Sequence, residues 1–305
     1  MKASAYISLA AVSLFAGCDK IAPLSDAPTK HHERPQIYAV NYPMAYFAER
    51  IGGHEIDVVF PAPKDVDPAF WQPTDAQIAA FQNADLIVMN GATFSKWAEK
   101  ATLPESKIVD TAASFSDKFI EEKNAVTHSH GKDGTHSHNG IAFTTWIDFQ
   151  QALAQADAIC SALQRLKPEA IEQFALNFGL LKTELLALDS RMDAVGKKLA
   201  GQPVAASHPV YQYWARRYGI NLKFVHWEPE EIPTNSQMDE LKRMLATHPA
   251  KLFVWEGEPA RESVEKIKSL SLSSVVFDPC SNVPDKGNWL DMMQANVKGM
   301  EDAVK

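Results

Sequence analysis

The sequence predicts an α/β protein of two lobes, each a parallel sheet flanked by helices, with one long helix joining them. Three patterns support this reading: short apolar runs alternate with helical patterns from Gln36 to Asp110, an extended helical stretch follows, and the alternation resumes after Gly201. Strands separated by helices pair in parallel, because each helix carries the chain back across a face of the sheet.

Gln36-Ile-Tyr-Ala-Val40 reads as the first strand, Asn41-Tyr42-Pro43 as a turn, and Ala45, Phe47, Ala48 and Ile51 as the apolar face of a helix closed by Gly52-Gly53. Further strands are expected over Glu55–Phe60, Asp85–Met89 and Lys107–Asp110, with a helix over Thr74–Asn83. Helical patterns then cover Trp146–Leu166 and Pro168–Leu199, with Pro168 suited to a first helical turn. Ile171, Phe174, Ala175, Phe178, Leu181, Leu185, Leu188, Met192 and Val195 advance by three and four residues. That spacing describes one helix roughly 45 Å long at 1.5 Å per residue, the alternative being two helices broken near Gly179. The second lobe is expected to alternate strand 203–206, helix 210–218, strand 221–226, helix 238–247, strand 251–255, helix 262–270 and strand 274–278, ending in a helix from Trp289. Ligands of such folds sit between lobes, beyond the carboxyl ends of strands.

The 305 residues are 46% hydrophobic and 22% charged, ordinary values for a globular chain with a sizeable core. A net charge of −8 argues against a nucleic-acid partner, which requires a basic face, and is compatible with binding cations.

Residues 1–17 read as a signal segment: Lys2 opens it, Ala3 to Phe15 is mostly apolar, and Ala16-Gly17 precede Cys18. The segment is shorter than the ~20 residues that span a bilayer. Leu14-Phe15-Ala16-Gly17-Cys18 resembles a bacterial lipobox, which implies acylation of Cys18 and membrane attachment by lipid only. Asp19 resembles the signal that retains a lipoprotein on the inner membrane, implying a periplasmic location there. Residues 18–35, with three prolines and no apolar periodicity, read as a flexible tether. Cys160 and Cys280 remain, and spacing leaves open whether they pair.

The strongest chemical signal is His128-Ser-His130-Gly-Lys-Asp-Gly-Thr-His136-Ser-His138, which concentrates four of the ten histidines in eleven residues of an expected loop, 124–140. Imidazole is the commonest nitrogen ligand of zinc, and two His-x-His pairs on one loop offer several donors together. The bland alternative is a solvated polar loop. His54, His226 and His248 read as structural, and Trp71, Trp97, Trp214, Trp227 and Trp289 as lobe packing.

Several motifs, in order, resemble the metal-specific solute-binding proteins of bacterial ABC importers for zinc and manganese. They are Asn41-Tyr42-Pro43, Arg50-Ile-Gly-Gly53, Val66-Asp67-Pro68, Gln72-Pro73-Thr74, Asn83 to Gly91, Trp146-Ile-Asp148, His208 with Tyr213 to Gly219, Glu228-Pro229-Glu230-Glu231 and Asp278-Pro279. The His-rich insert ahead of Trp146 matches the zinc-importing members, and the likeness covers nearly all of the chain from residue 36. The resemblance implies an N-terminal lobe over 36–166, a linking helix over 167–200 and a C-terminal lobe over 201–305.

It also implies a cleft in which three histidines and an aspartate close around one ion. His208 and Asp278 occupy two of those positions, whereas Ala69 and Thr144 stand where the family has histidines. Phe70-Trp71 beside the first of these positions suggests an apolar cleft wall. His136 and His138, with His128 and His130, are the nearest replacements; Glu256, Glu258 and Cys280 are further candidates. The implied function is capture of a divalent metal, zinc or another transition metal, by a monomer that hands it to an ABC permease in the inner membrane. The alternative is a periplasmic metal chaperone or buffer with the His-rich loop as principal site and the cleft degenerate. An enzyme is not expected, since the chain has no His-Glu-x-x-His helix, Gly-x-Ser-x-Gly elbow or paired-carboxylate constellation.

Overall fold

The computed structural model describes residues 34–122 and 140–305 in full, and 127–129 and 135–137 as backbone. Cys18, the segment before Arg34, His130 and His138 lie outside the described residues. The first sheet contains β1 (Gln36–Ala39), β2 (Asp57–Val59), β3 (Leu86–Met89) and β4 (Ile108–Asp110) in the order β2-β1-β3-β4. All its pairings are parallel, with Tyr38 opposite both Val59 and Ile87. Asn41 caps α1 (Tyr42–Gly52) by accepting from the Met44 N–H, and Thr74 caps α2 (Asp75–Asn83) in a capping box with Gln77. β2 starts later than its apolar run because Gly53–Glu55 first forms a 3-10 turn.

Between β4 and the next helix lie two antiparallel pairs that were not expected. β5 (Glu121–Glu122) pairs with β8 (Gly140–Ile141), and β6 (Thr127–Ser129) pairs with β7 (Thr135–Ser137). The His-rich stretch expected as an irregular loop therefore contains a hairpin, in which His128 and His136 are register partners. Polar His-Thr-Ser strands have no apolar alternation, so the pairing leaves no periodic signal.

α3 (Phe149–Leu166) begins three residues after Trp146, because Thr145–Ile147 makes a 3-10 turn and the Asp148 carboxylate then accepts from the Gln150 and Gln151 N–H groups. α4 (Ile171–Lys198) runs 28 residues through Gly179 without a break, preceded by a 3-10 turn at Pro168–Ala170. It buries Phe174, Leu181, Leu185, Leu188 and Met192. Each such side chain contributes about 1.5–3 kcal/mol of apolar transfer energy before its entropy cost.

The second sheet contains β9 (Pro203–Ala206), β10 (Asn221–Phe224), β11 (Leu252–Trp255) and β12 (Ser273–Val276), again all parallel, in the order β10-β9-β11-β12. Its helices are α5 (Gln212–Tyr218), α6 (Asn235–Thr247), α7 (Arg261–Ser269) and α8 (Trp289–Ala303). α6 starts three residues before the Met238 of the apolar pattern because Thr234 and Gln237 form a capping box. α5 starts two residues after Val210, whose N–H is taken by the His208 carbonyl in a tight turn.

Both lobes are tied to α4. The buried Asp189 carboxylate accepts from Arg217 Nε and Nη2, Gln150 Nε2 and the Tyr218 hydroxyl at 2.7–3.0 Å, joining α3, α4 and α5. α8 returns to the first lobe, where Trp289 packs against Tyr46 and Phe47 at ring distances of 5.8 and 4.9 Å. Among the described residues, no helix is long and apolar enough to cross a membrane.

Candidate metal centre

Parallel strands align their carboxyl ends at one edge of a sheet, and the second lobe places a residue of a type able to ligate metal just past each of those ends. His208 follows β9 by two residues, Glu228 follows β10 by four, Glu256 follows β11 by one and Asp278 follows β12 by two. Ser207 locks three of these segments together. Its N–H donates to the Val254 carbonyl, its carbonyl accepts from the Trp227 N–H at 2.8 Å, and its hydroxyl accepts from the Glu256 N–H at 3.2 Å.

The outcome is a compact cluster. The His208 Nδ1 atom lies 3.3 Å from a Glu256 carboxylate oxygen and 3.8 Å from one of Glu228. The three residues offer ligand atoms within 4.8 Å of one another, close enough to share one ion. The His208 side chain is 3% exposed and those of Glu228 and Glu256 are 19% and 18% exposed. Asp278 lines the same cleft and is held by Asn296, whose side-chain oxygen accepts from the Asp278 N–H at 3.1 Å and whose amide donates to the Asp278 carbonyl at 2.7 Å.

The cleft measures about 340 Å³ and is also lined by Asp67 and Glu230. No lysine or arginine is among the described residues lining it. Burial, reinforced by the carboxylates of Glu228, Asp67, Asp278 and Glu230, holds Glu256 well above the ordinary carboxylate range. Asp278 is raised by burial against the opposing hydrogen bond from the Cys280 N–H. Carboxylates gathered beside one imidazole in this way make a donor set of the kind that can hold a divalent cation.

The opposite wall comes from the first lobe and is apolar. Phe70, Phe94, Phe143 and Trp146 line it, with Phe94 edge-on to Phe143 and Trp146 at 5.3 and 5.7 Å. Asn90 Nδ2 donates to the Phe143 carbonyl at 3.0 Å, fixing the backbone next to Thr144. Ala69 is buried in a turn that Asp67 closes by accepting from the Ala69 N–H at 2.9 Å. Thr144 lines the cleft but carries no strong metal donor.

Of the residues singled out in the sequence, the structure brings His208, Glu256 and Asp278 into one cleft. Glu258 is exposed and is not among the lining residues. Cys280 is buried outside the lining, its Sγ 3.6 Å from the Asn282 carbonyl, with its thiol pushed up by burial and by Asp278. Cys160 and Cys280 are both free, and burial raises the Cys160 thiol to about 11.

Glu228 was named only as part of a motif and missed as a ligand candidate; its place beyond a strand end next to Pro229 was the available signal. His226, read as structural, lies with its ring 6.0 Å from that of His208, beside the cluster. His248 is structural as expected, its buried Nε2 donating to the Val204 carbonyl at 2.9 Å. Trp71, Trp97, Trp214, Trp227 and Trp289 are all buried in packing.

Residues 37–303 match the family described as zinc-uptake complex component A, periplasmic. The chain is 23% identical over 308 residues to the high-affinity zinc uptake system protein ZnuA of Bacillus subtilis (strain 168), covering 98% of this chain and 96% of that protein. It is 20% identical to the zinc-binding lipoprotein AdcA of Streptococcus pneumoniae over 88% of this chain, but spans only 55% of the length of AdcA. The fold is similar to the metal-dependent lipoprotein YcdH of Bacillus subtilis, with TM-score 0.74 at 20% identity over 88% of this chain and 98% of that one. It is also similar to the Zn(II)-bound ZnuA-like domain of S. pneumoniae AdcA, with TM-score 0.73 at 17% identity over 89% and 99%. The match of the whole two-lobed region to a family of binding proteins, not enzymes, shows that the chain belongs to the ZnuA family of periplasmic zinc-uptake components.

Proposed function

We propose that this chain captures a divalent metal ion, zinc first among them, in the cleft beyond the second sheet and delivers it to an ABC permease in the inner membrane. The observation that carries this reading is the convergence of His208, Glu228 and Glu256 on one point, with Asp278 in the same cleft. One imidazole and two carboxylates make three ligands of the kind zinc accepts, and a fourth donor from Asp278 or solvent completes a tetrahedron. Relatives named as zinc-uptake and zinc-binding proteins support the choice of metal. Acylation of Cys18 would hold a monomer on the membrane, within reach of its permease.

Zinc titration calorimetry on the Cys18→Ser chain tests the site. His208→Ala and Glu256→Gln each weaken binding by more than about tenfold if they hold the ion. Unchanged affinity in the double variant removes the cleft from consideration.

A second reading, a periplasmic zinc buffer, is favoured by one observation: β6 and β7 set His128 opposite His136. There the His-rich segment, with His130 and His138, would be the principal site. Deleting residues 128–138 separates the two, because tight binding that survives deletion belongs to the cleft and binding that vanishes belongs to the segment.

A further inference from the structure

Asn296 holds the main chain of Asp278, but the carboxylate is held by a different contact. The Cys280 N–H donates to Asp278 Oδ1 at 2.7 Å. That N–H shares one rigid plane with the Pro279 carbonyl, because the peptide bond between them has partial double-bond character. The Pro279 carbonyl in turn accepts from the Trp146 indole N–H at 2.7 Å, a buried bond from the first lobe to the second. One peptide plane therefore meets Trp146 at its oxygen and Asp278 at its nitrogen.

Two observations mark this plane as imposed by its bonds. Cys280 has a φ of +56°, a left-handed conformation that a residue with a Cβ resists, so its surroundings must enforce it. Turning the plane to relieve that strain would carry the carbonyl off the indole and the N–H off the carboxylate together. The indole bond is also no general accompaniment of burial in this fold. Trp97, Trp214, Trp227 and Trp289 are buried with no hydrogen-bond partner for the indole N–H among the described residues. Two residues further on, the Ser281 carbonyl accepts from the Tyr42 N–H at 3.0 Å, so the first lobe grips the same segment at a second point.

We propose that Trp146 is a positioning residue for the bound ion, acting through the Pro279–Cys280 peptide to aim the Asp278 carboxylate. The proposal rests on the cleft being the metal site and Asp278 being one of its ligands. An indole N–H is a donor only and cannot ligate metal, so the effect passes entirely through Asp278. Holding Oδ1 limits rotation of the carboxylate and so fixes the direction of its second oxygen. Groups that orient a metal ligand in this way are worth about 10- to 100-fold in affinity.

A double-variant cycle on the Cys18→Ser chain tests this, with zinc affinity read by competition against a chromophoric chelator. Trp146→Phe removes the donor and keeps a ring. It is expected to weaken zinc binding about tenfold in the parent and to keep most of that loss in a Glu256→Gln background. In an Asp278→Asn background the same change should cost less than about twofold. Trp146→Met, also without a donor but able to fill irregular space, repeats the cycle if the phenylalanine chain does not fold.

The proposal is overturned if Trp146→Phe leaves zinc affinity unchanged in the parent, if its cost is as large in the Asp278→Asn background, or if it vanishes equally in the Glu256→Gln background. Asp278→Asn that leaves zinc affinity unchanged while His208→Ala abolishes it overturns the proposal and leaves the metal site standing. Affinity that survives both changes removes the cleft site as well.

Discussion

Asn296 is the residue on which the position of Asp278 depends, and its replacement has a calculable cost. Its side chain is 2% exposed and makes two hydrogen bonds to the backbone of Asp278, one accepted from the N–H at 3.1 Å and one donated to the carbonyl at 2.7 Å. Asn296→Ala removes both partners and leaves two part-buried backbone groups unsatisfied. At about 1–3 kcal/mol for each stranded group, moderated by water entering the gap, the expected loss is about 2–4 kcal/mol.

Asn296→Asp is the isosteric control. It keeps the acceptor for the N–H but turns an oxygen towards the Asp278 carbonyl and adds charge beside Asp278, so it is expected to cost at least as much. Urea denaturation of the metal-free chain at pH 7.5, with the slope of the transition compared between variants, measures both. Zinc affinity should also fall in Asn296→Ala, since a loosened Asp278 no longer faces the cleft in one orientation. A loss below about 0.5 kcal/mol, or an Asp variant more stable than the Ala variant, would refute the claim that these two bonds fix the strand end.

Three further outcomes are expected. Asp189→Asn disrupts the carboxylate that ties Arg217, Gln150 and Tyr218 together, costing about 2–3 kcal/mol at neutral pH. Its folded pKa lies below the ordinary value of 3.8 because those hydrogen bonds outweigh burial, so the stability it contributes is present above about pH 4 and lost on acidification. Acid titration of the unfolding midpoint should accordingly be shallower in Asp189→Asn than in the parent. Glu122 behaves oppositely: burial raises it to about 7, the folded state holds the extra proton, and stability falls as pH rises from about 4.5 to 7. Glu122→Gln should flatten that slope and stabilise the protein above pH 7 by less than about 1 kcal/mol, the half-exposed site being screened. On α4, Gly196→Ala would set a methyl 2.2 Å from the Tyr218 carbonyl oxygen and is expected to lower stability by about 1–3 kcal/mol, whereas Gly179→Ala meets open space and should gain about 0.5–1 kcal/mol. Thermal melts of the pair carry the test, and equal shifts would count against the packing described.

Much of the fold was legible because buried parallel strands and amphipathic helices write themselves into the chain. The Leu-Phe-Val-Trp run of β11 is buried at every position, and the three- and four-residue steps of α4 predicted a continuous helix through Gly179. Where expectation and structure differ, the cause is local hydrogen bonding that apolar periodicity does not record. The capping box of Thr234 lengthened α6, the Asp148 cap delayed α3, and the pairing of β6 with β7 imposed strands on a stretch without apolar alternation. Thr-Asn-Ser-Gln at 234–237 was a readable start signal for α6, whereas a polar hairpin has none.

The cleft divides in the same way. By itself, the chain determined the two-lobed scaffold, the family, and the two strand-end residues His208 and Asp278, since each is marked by its position in a motif. That Glu228 and Glu256 converge on His208 and that Glu258 and Cys280 lie outside the lining of the cleft was decided only in three dimensions, whereas Phe70 beside Ala69 already suggested the apolar wall. The reason is the parallel sheet: it brings the strand ends at Ala206, Phe224, Trp255 and Val276, far apart along the chain, into one row, at spacings set by strand order and register.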